Sequence, residues 1–415
     1  MPLEIVRDNQ WWYSRSIHRT RVEQCRYLVL SIGGRHCRLI HSDAGSDGRP
    51  THSFKFLDPT DRDYWIALRE TAVEIEVIEC GNKMPDCDPA FRKPDLQNPT
   101  QLIEAPRLLR KTITLFDAYI FVDWSASSTP TRSGKEDSIW IAFGAYDTEG
   151  LLIVGSPINP LTRYEAQAQI LEMLLNHIRS NHRVLIGFDF PYGYPAGWYT
   201  ALGLTNNGSW QDLWNLLVQL ISDNEENQNN RCEIADSLNA AVNEFTGPYW
   251  SRPNNIGPET YQALPAKKPA CFMNQVREFR EIELQLRRSG KTPNSVWQLF
   301  GIGAVGSQAM LGIPVLHRLY NEFQLKSCSQ VWPFDTGWLC PHENRPFVLH
   351  AEIWPGAITV TRGLHAVKDA AQMLSYVYWA ARLDIFGRLS ARFNSTAGLE
   401  LPIAVHECEG WILGD

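Results

Sequence analysis

The sequence lacks the features of an exported or membrane-spanning protein. Its nine cysteines are irregularly spaced and none belongs to a CxxC pair, so we expect reduced thiols rather than a disulfide framework. No apolar run approaches the roughly 18 residues of a membrane span, and the N-terminus carries no signal-peptide hydrophobic region. These absences predict a cytoplasmic protein with no membrane partner. No feature of the chain indicates its oligomeric state.

Positive charge is also scarce. Lys and Arg number 39 against 46 Asp and Glu, which gives a formal net charge of -7. This balance argues against a protein coated in positive charge for tight, nonspecific nucleic-acid binding, although it leaves room for a local basic groove. The 415 residues, 44% of them hydrophobic, suffice for a large core and for two or three folding units.

Residues 1–110 have the least regular pattern. Short apolar runs at Tyr27–Ile32 and Val73–Ile78 are separated by clusters of Arg, His, Asp and Pro. The pattern predicts an N-terminal extension of unclear structure, for which a small α/β appendage with strands at the two runs is one interpretation. A second interpretation is that this stretch is foreign to the natural protein, because clean periodicity begins only at Thr112.

The following segment predicts an α/β fold. YIFVDWSASS, residues 119–128, opens with a run that is apolar on both faces, as in a strand covered by helices, and places Asp123 at its carboxyl end. Two further strands, residues 138–146 and 151–158, flank a tight turn and predict an antiparallel meander. A helix over Arg163–Ser180 with Thr162 as N-cap leads into VLIGFDFPYG, residues 184–193, a strand parallel to the first that ends near Asp189.

Two later elements complete the predicted core. FVLHAEIWP, residues 347–355, predicts a fifth strand with Glu352 toward its end, and residues 368–384 predict a helix with Asp369 in its first turn. Between the two halves of the core, the chain reads as a largely helical insertion. The predicted domains are an N-terminal extension at 1–110, core segments at 111–200 and 346–415, and a helical cap at 201–345.

Four acidic residues occupy comparable places in these elements. Each alone has an ordinary explanation as a turn, strand or helix-capping residue. Together they predict one crevice, because the first and fourth strands would be neighbours and the last helix would cross the sheet. Crowded carboxylates need a cation, and oxygen ligands suit Mg²⁺ or Mn²⁺ better than Zn²⁺. The predicted catalytic and metal-binding residues are Asp123, Asp189, Glu352 and Asp369.

This arrangement predicts metal-dependent hydrolysis of phosphodiester bonds. Two ions about 4 Å apart can activate a water molecule and stabilise the leaving oxygen. Asp123 would bridge both ions, Asp189 and Glu352 would each hold one, and Asp369 would hold the second or orient the water. Nucleic acid is the predicted partner, with DNA, RNA and hybrid substrates all open.

Eight phrases between Phe116 and Phe393 carry a family resemblance: VDWSASS, NPLTR, IGFDFPYGYP, FREIE, SVWQLFGIGAVGSQ, WPFDTGW, AEIWPG and VKDAAQ. They resemble a bacterial domain-of-unknown-function family of predicted ribonuclease H-like nucleases, some members of which are labelled as cobalamin biosynthesis or molybdopterin-guanine dinucleotide synthesis proteins. The resemblance implies a ribonuclease H-like mixed five-stranded sheet with flanking helices and the same four acids. It also implies that Arg280 and Glu283 contact substrate.

One departure from the ribonuclease H pattern concerns the first helix. A glutamate on that helix usually faces the metals, and here the helix carries Glu165 and Glu172. Glu165 lies near the helix start, where compensation of the helix dipole explains it equally well. If Glu352 takes the place of that glutamate, the metal geometry need not match the well-known enzymes.

The glycine loop at residues 301–308 has GxGxxG spacing, but it comes too late in the chain for a dinucleotide site. Its backbone N–H groups could instead contact a phosphate, with close packing as the alternative. Together with the hydroxyl turn after Asp123, it supplies three further candidate substrate residues: Ser125, Gly303 and Ser307. Aromatic residues at 190–199 could stack on bases or belong to the core.

Other functions stay open. Actin-like ATPases and sugar kinases also begin with an aspartate at the end of a first strand, so a nucleotide-binding phosphotransferase is one alternative. A non-catalytic or regulatory protein of the same fold is another, because a fold does not carry a function by itself. An accessory role in cobalamin or molybdopterin biosynthesis is a remote third. Cys340, His342 and Glu343 lie close in sequence, but without a second cluster they do not define a zinc site.

Overall fold

The structure is a computed structural model of the whole chain. It describes strands between residues 4 and 81, Leu108, and residues 114–414 except 205–208, 243–246, 273–275, 302, 340–344, 362, 395–402 and 404. Two compact units result: Met1–Leu109 with Arg362–Ala366, and Arg110–Thr361 with Val367–Asp415. The predicted subdivision of the second unit at residues 200 and 345 stays a prediction.

The first unit contains a seven-stranded antiparallel sheet. Its strands are β1 (Glu4–Arg7), β2 (Gln10–Tyr13), β3 (Val29–Ile32), β4 (Arg35–Asp43), β5 (Thr51–Phe56), β6 (Trp65–Glu70) and β7 (Ile75–Gly81). They lie in the order β2-β1-β3-β4-β5-β6-β7. The strands β3 and β7 lie on the two apolar runs that predicted them. The other five were not predicted, although β2 (QWWY) and β6 (WIALRE) also carry several apolar residues.

The second unit contains a six-stranded mixed sheet. Its strands are β8 (Ala118–Asp123), β9 (Trp140–Tyr146), β10 (Leu152–Val154), β11 (Arg183–Phe188), β12 (Ser329–Trp332) and β13 (Phe347–Glu352). The order is β10-β9-β8-β11-β13-β12. The predicted meander is confirmed by the antiparallel pairs β8–β9 and β9–β10, and the predicted parallel neighbours are confirmed by β8–β11.

The prediction of five strands is wrong by one. The additional strand β12 pairs parallel to β13 at the edge of the sheet. Its four residues, SQVW, lie inside the stretch that was predicted to be a helical insertion. A strand this short shows no periodicity of its own, and it is the hydrogen bonding to β13 that makes it part of the sheet.

Eight α-helices are described in this unit: α1 (Arg163–Arg179), α2 (Gly197–Ala201), α3 (Trp210–Leu220), α4 (Arg231–Val242), α5 (Glu281–Arg288), α6 (Gly306–Tyr320), α7 (Lys368–Ile385) and α8 (Ser390–Phe393). The helices predicted after residues 162 and 367 are confirmed as α1 and α7. The Thr162 hydroxyl accepts the Glu165 N–H at the start of α1, and Glu165 in turn accepts the Leu161 N–H. None of the helices described is long and apolar enough to cross a membrane.

Successive strand side chains point to opposite faces of the six-stranded sheet. Ile120 and Val122 belong to a hydrophobic core that also includes buried residues of α1 and α6. Phe121, between them, packs on Tyr376 of α7 with ring centroids 5.1 Å apart. We refer to these two sides as the α1/α6 face and the α7 face.

Candidate functional site

Asp123 and Asp189 lie at the ends of two neighbouring parallel strands in the centre of the sheet. Asp123 is the last residue of β8, and Asp189 follows the last residue of β11. Val122 pairs with Phe188, and the Asp189 N–H donates to the Val122 carbonyl at 3.2 Å, so the two aspartates lie side by side. Both are half-buried, and the alternation of side chains directs both to the α7 face.

The two carboxyl groups share a hydrogen bond, and neither forms an ion pair with a described residue. Burial raises the pKa of Asp123 well above its ordinary value, and the charges of Asp189 and Asp369 raise it further. Burial also raises the pKa of Asp189 to about 7, against hydrogen bonds from Asp123 and from the Trp124 N–H, which lies 2.7 Å from Oδ1. The pair therefore retains a proton near neutral pH, in a place where a cation could replace it.

Asp369 approaches this pair from the first turn of α7. Its carboxylate is buried, and Oδ2 accepts the Asp137 N–H at 2.8 Å. Its charge raises the pKa of both Asp123 and Asp189. Burial raises the pKa of Asp369 itself, against the hydrogen bond from Asp137. We refer to Asp123, Asp189 and Asp369 as the acid cluster.

A further acid, Asp137, lies beside the acid cluster and was not predicted. Its backbone is left-handed, with φ of 55°, a conformation that Asp adopts more readily than most residues. Its N–H donates to Asp369, and its charge contributes to the raised pKa of Asp123. An aspartate in a polar linker has the pattern of a solvated turn, so the sequence carries no signal for this role.

The structure does not bring Glu352 to the acid cluster. Glu352 pairs with Phe188, one residue out of phase with Asp189, and therefore points to the α1/α6 face. Its neighbour two residues earlier, His350, confirms this face, because its ring contacts Tyr320 of α6. The metal-binding role of Glu352 stays a prediction, and Glu352 shares no crevice with the acid cluster in this structure.

Glu352 belongs instead to a buried ion network with Arg280 and Glu283. Arg280 Nη2 lies 2.6 Å from Glu352 Oε1 and 2.5 Å from Glu283 Oε1. The five N–H groups of Arg280 all donate within the protein, to Glu283, to Glu352 and to the Glu409 carbonyl. Arg280 therefore has no free donor for a phosphate, and the predicted substrate role of Arg280 and Glu283 gains no support from the geometry. We refer to these three residues as the ion network.

The other predicted substrate residues lie on the two loops near the strand ends. Ser125 donates to the Asp137 carbonyl at 3.3 Å, next to the acid cluster. Ser307 opens α6 and donates to the Leu299 carbonyl at 2.7 Å. Gly303 has a φ of +73°, which explains why glycine occupies that turn. The aromatic residues of 190–199 are core residues: Phe190, Tyr192, Tyr194, Trp198 and Tyr199 are at most 1% exposed.

Two side chains hold the loop that follows Asp123, and neither was predicted. Arg163 donates to the carbonyls of Ser125 and Ser127 and pairs with Asp223 at 2.6 Å. Gln308 donates to the Trp124 carbonyl at 2.5 Å. An arginine as the first residue of a helix is unfavourable against the helix dipole. This position is the one feature of the sequence that indicates a role for Arg163 outside the helix.

The acid cluster fits a hard divalent cation. It offers only oxygen donors, and the touching pair carries no counter-charge. In the part of the chain that the structure describes, no group of three or more His, Cys, Asp or Glu is arranged to hold a metal ion. Asp123 and Asp189 supply two ligands, and Mg²⁺ is usually held by one or two carboxylates together with water and substrate phosphates.

No family model, curated protein or solved structure matches the chain. The candidate zinc ligands Cys340, His342 and Glu343 lie outside the described residues.

Proposed function

We propose that the acid cluster binds one or two Mg²⁺ or Mn²⁺ ions and hydrolyses phosphodiester bonds of a nucleic acid. One observation carries the proposal. Asp123 and Asp189 touch at the ends of adjacent central strands, are half-buried, and pair with no described cation. Folding alone gives no reason to keep two such carboxyl groups in contact, because their repulsion lowers the stability of the folded chain.

The strand order supports a ribonuclease H-like core for the second unit. Three antiparallel strands, β10-β9-β8, are followed by the parallel strands β11 and β13, as the resemblance implies. On this proposal β12 is an addition to the edge of the core. A fold of this kind hosts several activities, so the assignment to nucleic acid rests on the acids and not on the sheet.

The residues of the chain have distinct tasks in this proposal. Asp123 and Asp189 hold the cation, and Asp369 holds a second one or orients a water molecule. The Trp124 N–H fixes the orientation of the Asp189 carboxylate, and Arg163 holds the loop that carries this N–H. When bound, the ions would activate a water molecule and stabilise the leaving oxygen of an in-line displacement.

A nuclease screen on single-stranded, duplex and hybrid substrates with Mg²⁺ or Mn²⁺ tests the proposal. We expect cleavage by the wild-type chain, and its loss together with metal binding in Asp123→Asn, which is isosteric and should fold. The matched control is Glu149→Gln, in an exposed turn between β9 and β10 at the opposite edge of the sheet. Cleavage by Asp123→Asn at the wild-type rate would refute the assignment.

A nucleotide-binding phosphotransferase is the second candidate. The observation in its favour is that the glycine loop leads into α6, whose Gln308 contacts the loop after Asp123. Thermal unfolding separates the two functions. A rise in Tm with nucleoside triphosphate and Mg²⁺ would favour the phosphotransferase, whereas a rise with Mn²⁺ alone would not.

A further inference from the structure

Arg231, the first residue of α4, is a buried cation without a carboxylate partner in the described part of the chain. It is 5% exposed. The other buried arginines each pair with an acid at 2.6–3.2 Å: Arg163 with Asp223, Arg183 with Asp117, and Arg280 with Glu352. Because a buried charge is costly when nothing compensates it, Arg231 requires an explanation that these three do not.

Neutral groups hold the guanidinium of Arg231 in place. Nε donates to the Ser307 hydroxyl at 2.8 Å, and Nη1 donates to the Ser128 hydroxyl at 3.0 Å and to Asn229 Oδ1 at 2.7 Å. The guanidinium carbon lies 4.9 Å from the centre of the Phe300 ring. Nη2 donates to no described residue. The side chain is thus fixed in place, with the N–H groups of Nη2 free to donate to an acceptor.

The contact with Ser307 directs Arg231 to the N-terminus of α6, a helix of 15 residues. The Gly306 N–H donates to the Gln298 carbonyl, but the backbone N–H groups of Ser307 and Gln308 donate to no described residue. The positive end of a helix and an uncompensated guanidinium therefore meet. Burial lowers the pKa of Arg231 and the charge of Asp223 acts to raise it, but Asp223 forms its ion pair with Arg163. Two positive features that converge with no acid in contact form a site for an anion.

We infer that Arg231, Ser128 and the first turn of α6 bind a phosphate group. The free N–H groups of Arg231 Nη2 and the open N–H groups of a helix start can both donate to phosphate oxygens. Ser128 of this site is five residues after Asp123 of the acid cluster, so the Cα atoms of these two residues lie at most about 18 Å apart. That the site holds the phosphate next to the one being hydrolysed is an inference that rests on the proposed function. The binding of phosphate itself does not.

Calorimetric titration with inorganic phosphate, in the presence of a chelator and at constant ionic strength, tests the site. We expect saturable binding that weakens at least ~10-fold in Arg231→Gln and less in Arg231→Lys, which keeps the charge but loses the Nε and Nη1 donors that hold the guanidinium in place. Arg179→Gln, exposed at the end of α1, is the matched control and should bind as the wild type does.

Two results would overturn the inference: no binding to the folded wild-type chain up to ~10 mM phosphate, or unchanged binding in Arg231→Gln. If Arg231→Gln does not fold, the wild-type titration and Arg231→Lys decide. Binding by Arg231→Lys equal to that of the wild type at every phosphate concentration would then also overturn the inference.

Two ligands, an oligonucleotide and ATP, distinguish whether the phosphate belongs to a nucleic-acid strand or to a nucleotide. Both are titrated into Asp123→Asn. For a nucleic-acid strand, we expect the salt dependence of oligonucleotide binding to lose about one unit of slope on Arg231→Gln. If ATP competes with phosphate and the oligonucleotide does not, the site belongs to a nucleotide. If the wild type binds phosphate but cleaves no substrate, the proposed function is contradicted and this inference stands. If it cleaves a substrate but binds no phosphate, this inference is contradicted and the proposed function stands.

Discussion

The acid cluster and the ion network lie at the same carboxyl edge of the sheet but on opposite faces. In the ion network, Arg280 donates to both Glu283 and Glu352. In the acid cluster, Asp123 and Asp189 contact each other and no described cation. Both sets are at least half-buried, so burial does not distinguish them. They differ in whether a positively charged side chain pairs with the carboxylates.

This difference indicates which carboxylates need a functional explanation. The ion network is satisfied by its own arginine and joins α5 to β13, so a structural role accounts for it. The acid cluster lowers the stability of the folded chain unless something positive binds there. Buried acids that are left uncompensated in a crevice are typical of functional sites, although ion networks also shift pKa values.

The largest expected effect is on activity, and it distinguishes Asp189 in the acid cluster from Glu352 in the ion network. We expect Asp189→Asn to lower phosphodiester hydrolysis at least ~1000-fold, about 4 kcal/mol of transition-state stabilisation, because a ligand of the cation is lost. Glu352→Gln should stay within ~10-fold of the wild type, since Glu352 faces the other side of the sheet. Steady-state kinetics on the best substrate of the screen measures both. Equal losses would place Glu352 in the site after all.

The second effect breaks the ion network. Arg280→Met removes the cation and leaves Glu283 and Glu352 buried without compensation, so the free energy of unfolding should fall by about 3–5 kcal/mol. Urea denaturation at neutral pH measures it. Arg288→Met, at the end of the helix that follows Arg280, is the control, because the Arg288 side chain is 69% exposed and should matter by less than about 0.5 kcal/mol. A loss below about 1 kcal/mol for Arg280→Met would show that the network is not structural.

The sequence was sufficient to predict the acid cluster but not the ion network. Apolar runs before Asp123 and Asp189, joined through a helix, predict parallel strands, and the usual crossover makes these strands neighbours. The face on which Glu352 lies depends on register, and a slip of one residue reverses it. The pairing of Glu352 with Phe188, which the sequence does not encode locally, decides that register.

The buried arginines were beyond sequence analysis for a related reason. Arg280 lies 72 positions from Glu352, and Arg231 lies 76 positions from Ser307. Glu352 lies at the end of β13 and Ser307 in the first turn of α6, and the tertiary fold, which no periodicity predicts, brings each of them to its arginine. On the chain they resemble the charged residues of solvated helix faces.

The third effect is the dependence of stability on pH that the acid cluster produces. Asp123 and Asp189 have pKa values raised above 3.8, so the folded chain keeps protons that the unfolded chain releases. Their contribution to the free energy of unfolding therefore falls as pH rises from about 4 to about 7. Asp189→Asn should remove part of this slope and stabilise the metal-free chain by about 1–3 kcal/mol at pH 8. Urea denaturation at pH 5 and pH 8 measures the difference, and a difference independent of pH would contradict the expectation.

The smallest effect tests compensation at the rim of the ion network. Arg277 lies 2.5 Å from the buried carboxylate of Glu409, but its own side chain is 46% exposed. Glu409 also accepts the N–H groups of Ala196 and Glu281, which remain when Arg277 is removed. Arg277→Gln should therefore lower the free energy of unfolding by only about 0.5–1 kcal/mol, because water screens a half-exposed ion pair. Urea denaturation measures this loss. A loss as large as that of Arg280→Met would contradict the expectation, because solvent exposure and the N–H groups that still donate to Glu409 would then not reduce the cost of removing an arginine.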